Sequence, residues 1–257
     1  MALSNLHTYD HYGYALVAVL GSILAVALVA WLMQRSRWAG WIQSLQGVVP
    51  PFINIIGVLF GLTLAFLAND TWSAHDRAMG AVYREADALR ILSALSGKLA
   101  QPVQGRLRGA IGDYARASAA EWPELARRSA SREVGERADT LLTLLASREV
   151  AEAAGGNVQA LMLRKVSEIR DDRDLRIALS QTHVNPLKWL GMAFLGLLTL
   201  ISVAVVHADR PRAGIVAVIL FALAAAPTAA IVLVQGNPFQ QPSSVTAAPI
   251  EAAAAGM

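Results

Sequence analysis

Residues 50–72 read PPFINIIGVLFGLTLAFLANDTW, an apolar run that opens on two prolines, carries Asn54, Thr63 and Asn69, and passes into charged sequence. A helix rises about 1.5 Å per residue, so roughly 20 apolar residues cross the hydrocarbon core of a bilayer. The apolar part of this run, 52–68, lies at the short end of that range, and Val48 and Val49 extend it. Three further runs, 14–33, 187–206 and 213–234, are long enough outright. The composition agrees, with 55% hydrophobic and 16% charged residues and a mean hydropathy of +0.43. The expected fold is an all-α membrane protein, with four transmembrane helices and a helical extramembrane insert between spans two and three. The expected division is 1–68 for the N-terminal tail and spans one and two, and 69–186 for the insert. Spans three and four follow at 187–234, then a largely disordered tail at 235–257.

Residues 1–13 contain no Lys or Arg. They lack the positive segment that precedes a signal-peptide core, so the first span is expected to be retained. With no cysteine in the chain, disulfides, thiolate metal sites and cysteine nucleophiles are excluded. The net charge is +3 and the basic residues form no patch, which argues against nucleic acid as a partner.

Arg35 and Arg37 stand in the connection 34–50, and Arg210 and Arg212 in the connection 207–212. Basic residues in short loops mark the cytoplasmic side. Both connections are therefore expected in the cytoplasm of a multi-pass cell-membrane protein, and the insert outside it. The insert itself votes weakly, since it holds 17 basic and 16 acidic residues between Asn69 and Val184.

The insert reads as helices throughout. Gly61 alone interrupts 60–79 as Gly or Pro, so the helix of span two is expected to leave the membrane and end near Ser96, before SGKLAQP. Apolar positions at helical spacing mark a second helix from Val103 to Trp122, ended by Pro123. A third runs through Val134, Ala138, Leu141 and Leu145 up to AAGGN, and a fourth from about Val158 to about Thr182. Asn185–Pro186 makes a bend before span three.

Candidate site residues follow from this layout. On the second span, Asn54, Val58, Gly61 and Ala65 share one helical face, and Phe52, Ile56, Phe60, Thr63 and Leu67 another. One reading is close helix packing on the glycines, with Asn54 and Thr63 hydrogen-bonding across it. The other is a pore, with an apolar ring of Ile56, Phe60, Thr63 and Leu67 that gates by dewetting, flanked by polar rings of Asn54 and Asn69. Glu85 falls on an apolar stripe between Val82 and Leu89, where an unpaired charge is costly. It is either buried against an Arg of another helix or part of a carboxylate ring in a vestibule, together with Asp70 and Asp76. DDRD at 171–174 has no calcium-loop spacing and reads as a solvated face paired with Arg170, Arg173 and Arg176. His7 and His11 form the one i, i+4 histidine pair. No catalytic, metal or cofactor motif is present, so no enzyme and no cofactor is expected.

Four separated stretches occur in order: NIIGVLFGLTLAFLANDTW, RAMGAVYREADALRIL, YARASAAEWPEL and, after the last span, QGNPFQQPSSVTAAPIEAA. The ordered set resembles the bestrophin-like family of four-span membrane proteins over most of 48–250. The shared features are a Gly-rich second span ending in Trp72, the Glu85–Ala86 dipeptide, Glu121–Trp122, and Pro238–Phe239. The resemblance implies a homo-oligomeric channel for inorganic ions, with anions favoured, lipid around it, and the second span lining a central pore. It also implies an insert on the cytosolic side, opposite to the charge bias. The alternative function is a non-conducting scaffold or sensor whose helical insert binds a partner.

Overall fold

The computed structural model of the chain describes residues 10–35, 39–182, 185–241 and 244–256. His7, Arg37, Trp38, Val184 and Ser243, and the side chains of His11 and Arg35, lie outside this description. Among the described residues there are eleven helices and no strand. They are α1 Asp10–Arg35, α2 Ala39–Ser44, α3 Pro50–Ser96, α4 Val103–Ala120, α5 Trp122–Ala126 and α6 Arg132–Leu145. Then come α7 Arg148–Ala154, α8 Gly156–Ser180, α9 Pro186–Val206, α10 Pro211–Val234 and α11 Ala248–Ala255. Helices α1, α3, α9 and α10 are long and apolar enough to cross a membrane.

The chain divides into two compact units, residues 1–72 with 183–236, and residues 73–182 with 237–257. In the first unit α1 packs along α10, and α9 against both. Glycines set the closest approaches. A Cβ on Gly214 would lie 2.6 Å from Met33 Cε, and one on Gly196 would lie 3.1 Å from the Phe60 ring. A larger residue at either position would make Met33 or the Phe60 ring shift. Prolines stand in the first turns of α9 and α10, where a missing N–H costs nothing. Asn185 caps α9 by accepting from the N–H groups of Leu187 and Lys188. Pro227 lies inside α10 and removes one helical hydrogen bond.

In the second unit, residues 73–96 of α3 join α4 to α8 around one apolar core that includes Leu89, Leu92, Leu107, Ile111, Leu141, Leu145 and Met162. Three boundaries differ from the sequence expectation. The second helix stops at Ala120, and Pro123 starts α5 instead of ending α4. The third breaks at Ala146–Ser147, where the Ser147 hydroxyl accepts the Val150 N–H as an N-cap for α7. The tail from about Ser243 is not largely disordered: α11 places Ile250 and Ala253 inside the core. Its Ala-rich composition looked disordered because one isoleucine is a weak signal, yet Ile250 is fully buried.

Candidate functional site

The second span, residues 50–72 of α3, is sparsely covered within the protomer. Only 11% of its most apolar stretch is buried, the same share as in α1 and against 33% for α9, so most of its surface is left to lipid or to another chain. Two ridges are exposed. One carries Asn54, Val58, Gly61, Ala65 and Asn69; the other carries Ile55, Leu59, Leu62 and Phe66. The third ridge packs within the protomer. Phe60 and Leu67 are buried in a cluster with Met192 and Ala229, and the Phe60 ring meets Phe221 with centroids 5.5 Å apart.

This placement corrects part of the pore-ring expectation. Phe60 and Leu67 fill the contact with α9 and α10, because aromatic and aliphatic bulk is what closes an interhelical gap. Ile56 and Thr63 are half-buried beside them. Thr63 Oγ1 donates to the Leu59 carbonyl at 2.7 Å, so its hydroxyl is satisfied on its own helix. Asn54 and Asn69 are exposed on the opposite ridge.

Of the expected vestibule carboxylates, Asp70 is an exposed ion pair with Lys188, Nζ to Oδ2 2.8 Å. Asp76 is exposed. Glu85 is not in a vestibule of the protomer. It is fully buried at the centre of a polar cluster inside the second unit. Arg176 Nη2 lies 2.8 Å from Glu85 Oε2 and donates to Oε1 at 3.1 Å. Tyr114 and Ser118 donate their hydroxyls to Oε1 at 2.9 Å and 2.7 Å. Ser118 in turn accepts from Arg176 Nη2 at 2.8 Å. Beside this set, Arg173 Nη2 donates to Glu121 Oε1 at 2.6 Å, and the Ser131 N–H to the same oxygen at 2.9 Å. Two carboxylates and two guanidiniums thus balance in the interior, each charge meeting its opposite. Burial, and next the neighbouring Glu85 carboxylate, push the Tyr114 phenol well above its usual range, so it remains a neutral donor.

The motif residues of the sequence meet here. The Arg176 guanidinium lies 4.9 Å from the centroid of Trp122. Trp122 stacks edge-on against Phe239, centroids 5.7 Å apart, and its indole N–H donates to the Val245 carbonyl at 2.6 Å. Asn237 and Gln240 donate amide hydrogens to carbonyls at the end of α5, Asn237 to Leu125 and Gln240 to Ala126. Glu85, Glu121–Trp122 and Pro238–Phe239, three separate stretches of the sequence, are one interlocked set. The DDRD segment is only half a solvated face: Asp171 and Asp174 are exposed, whereas Asp172 and Arg173 turn inward. Asp172 is buried and takes Arg84 at 2.7 Å, and the arginines reach other helices: Arg170 to Asp139 at 3.2 Å, Arg173 to Glu121 and Arg176 to Glu85. Sequence reading missed Arg84, Tyr114 and Ser118 as partners; the i, i+4 spacing of Tyr114 and Ser118 was the available signal.

Among the described residues no three His, Asp or Glu side chains gather as a metal site would require. No curated protein matches the chain. Its fold is that of solved bacterial bestrophin homologues. A point variant of the homologue from Klebsiella pneumoniae aligns with a TM-score of 0.62 at 14% identity, covering 94% of this chain and 95% of that one. A second variant gives 0.65 at 13% identity over the same shares, and a structure described as a membrane protein gives 0.61 at 13%, covering 96% of each chain. The Bestrophin-like domain matches residues 20–250. The four apolar helices, the interlocked motifs and this match together place the chain, a membrane-embedded protein, in the Bestrophin-like family.

Proposed function

We propose that copies of this chain assemble in the membrane as an ion channel whose path is lined by the second span. The observation that carries the reading is the uncovered ridge Asn54–Val58–Gly61–Ala65–Asn69 in a chain of this family. Small and amide side chains on that ridge suit a narrow hydrated axis. The bulky Ile55, Leu59, Leu62 and Phe66 of the adjoining ridge suit lipid or a neighbouring subunit. Val58, 67% exposed, is then the apolar constriction between two amide rings, and dewetting there closes the path. Phe60 and Leu67 support the ridge from behind. The Asn amides can donate to a dehydrating anion, and no residue from 50 to 69 is charged, which favours anions, the selectivity the family likeness implies. The excess of Arg in the two short connections favours an insert outside the cytoplasm.

The test is flux through purified protein in liposomes, with chloride and potassium read separately. Chloride flux exceeding potassium flux is expected. Potassium flux in excess overturns the anion selectivity alone. Absence of both across pH, calcium and salt overturns the channel and leaves the non-conducting scaffold, whose helical unit binds a partner.

A further inference from the structure

Helices α1 and α10 pack closely at Met33 and Gly214, yet part along one side nearer the middle of the membrane. There a cavity of about 310 Å³ is lined by Val19, Ser22, Val26, Ile219, Ala226 and Pro227, among others. Ser22, Ala222 and Ala226 are the small residues of its lining, and Pro227, which cannot continue the helical hydrogen-bond ladder, is the lining residue farthest along α10 from Arg212. The Ser22 hydroxyl is turned back to the Ala18 carbonyl at 2.7 Å, so the cavity offers an incoming molecule almost nothing but hydrocarbon.

The same stripes of the two helices lead to a second feature. On α10, Arg212 precedes Ile219 by seven residues, two helical turns, and so shares its face. On α1, Met33 follows Val26 by seven residues in the same way. Met33, Arg210, Pro211 and Arg212 line a wider recess of about 620 Å³ at this end of the helix pair. Both arginines are exposed. Among the described residues Arg210 makes a loose contact with Asp209, 3.8 Å, and the Asp209 carboxylate is engaged by the Gln46 amide at 2.9 Å. At about 1.5 Å per residue, the cavity begins about 10 Å below Arg212 and ends at Pro227, about 22 Å below it. One leaflet of hydrocarbon is about 15 Å deep. A chain anchored at the arginines therefore ends inside the cavity.

We infer that this side of α1 and α10 is a binding site for one anionic phospholipid, its phosphate between Arg210 and Arg212 and one acyl chain in the groove that ends at Pro227. The charge selects an anionic headgroup over a zwitterionic one, and the groove requires an attached hydrocarbon chain rather than free phosphate. The site involves neither the second span nor conduction, so it stands or falls independently of the channel.

The experiment titrates the purified protein in detergent with dioleoylphosphatidylglycerol or dioleoylphosphatidylcholine and reads bound lipid by native mass spectrometry. One phosphatidylglycerol per subunit, held about tenfold or more tighter than phosphatidylcholine, is the expected result. R210Q/R212Q should lose that preference and R210K/R212K keep it. Ala222→Leu with Ala226→Leu fills the groove without altering charge and should weaken both lipids. Equal binding of the two lipids by the native chain overturns the site, as does an unchanged preference in R210Q/R212Q. Displacement of the lipid by millimolar inorganic phosphate, or full binding by the filled-groove variant, shows that the groove takes no part and overturns it equally.

Discussion

Tyr114 shows what a single buried hydroxyl does in this fold. Its bond to the Glu85 carboxylate is of the charge-assisted kind, worth about 1.5–3 kcal/mol, and it holds the carboxylate beside Arg176. The pair itself contributes little net stability, because desolvation of both ions offsets their attraction, although stripping away one partner costs about 3–5 kcal/mol. Its effect is on which helices meet. The phenol's raised pKa fixes a sign. The folded state resists losing that proton, so the contribution is complete below about pH 10, the unfolded value, and is lost as the pH climbs toward the higher folded value. Tyr114→Phe should lower the melting temperature at neutral pH and make the alkaline decline shallower. Melting curves between about pH 8 and pH 11 check this, and an unaltered alkaline slope would refute the role given to the phenol.

At the scale of elements, α3 is the helix whose surfaces differ most along its length. Its membrane part leaves two ridges bare, whereas residues 78–92 bury Ala78, Ala81, Val82, Ala86, Leu89 and Leu92. The absence of native cysteine allows each ridge to be probed with a single introduced thiol. Cysteines at Asn54, Val58, Gly61 and Ala65 should let a charged thiol reagent block flux, while those at Phe60 and Leu67 should not. A Cβ at Gly61 has open space around it, so Gly61→Cys is expected to fold. Block at Phe60 and none at Val58 would reverse the assignment of the ridges.

The four spans and the end of α3 at Ser96 were legible because length and apolar periodicity report them directly. The facing of the second span was not. Ile56, Phe60, Thr63 and Leu67 form as regular a stripe as Asn54, Val58, Gly61 and Ala65, and only the packing of Phe60 and Leu67 with Met192 and Ala229 shows which one turns inward. The role of Glu85 was half legible: its place on an apolar stripe demanded a partner, but the partner, Arg176, lies 91 residues away. Periodicity on one helix carries no information about such a distance. The tail helix escaped notice because the apolar residue that matters most there is the lone Ile250.

For the molecule as a whole, sidedness is the property on which charge and family likeness pull apart. The arginines of 34–50 and 207–212 favour the cytoplasm for those connections and the opposite side for the insert. Ala130→Cys, at an exposed position of the helical unit, should then react with a membrane-impermeant maleimide in intact cells. Labelling only after the cells are broken would assign the unit to the cytosol.

The position of Ile250 and Phe239 in the core of the helical unit also sets an order of events during synthesis. That unit begins at residue 73, yet its core lacks Phe239, Ile250 and Ala253 until translation has passed both later spans. Both α9 and α10 are synthesised before Phe239, which packs against Trp122, and before Ile250, whose helix packs against α4. The helical unit therefore cannot close its core until both later spans have been synthesised.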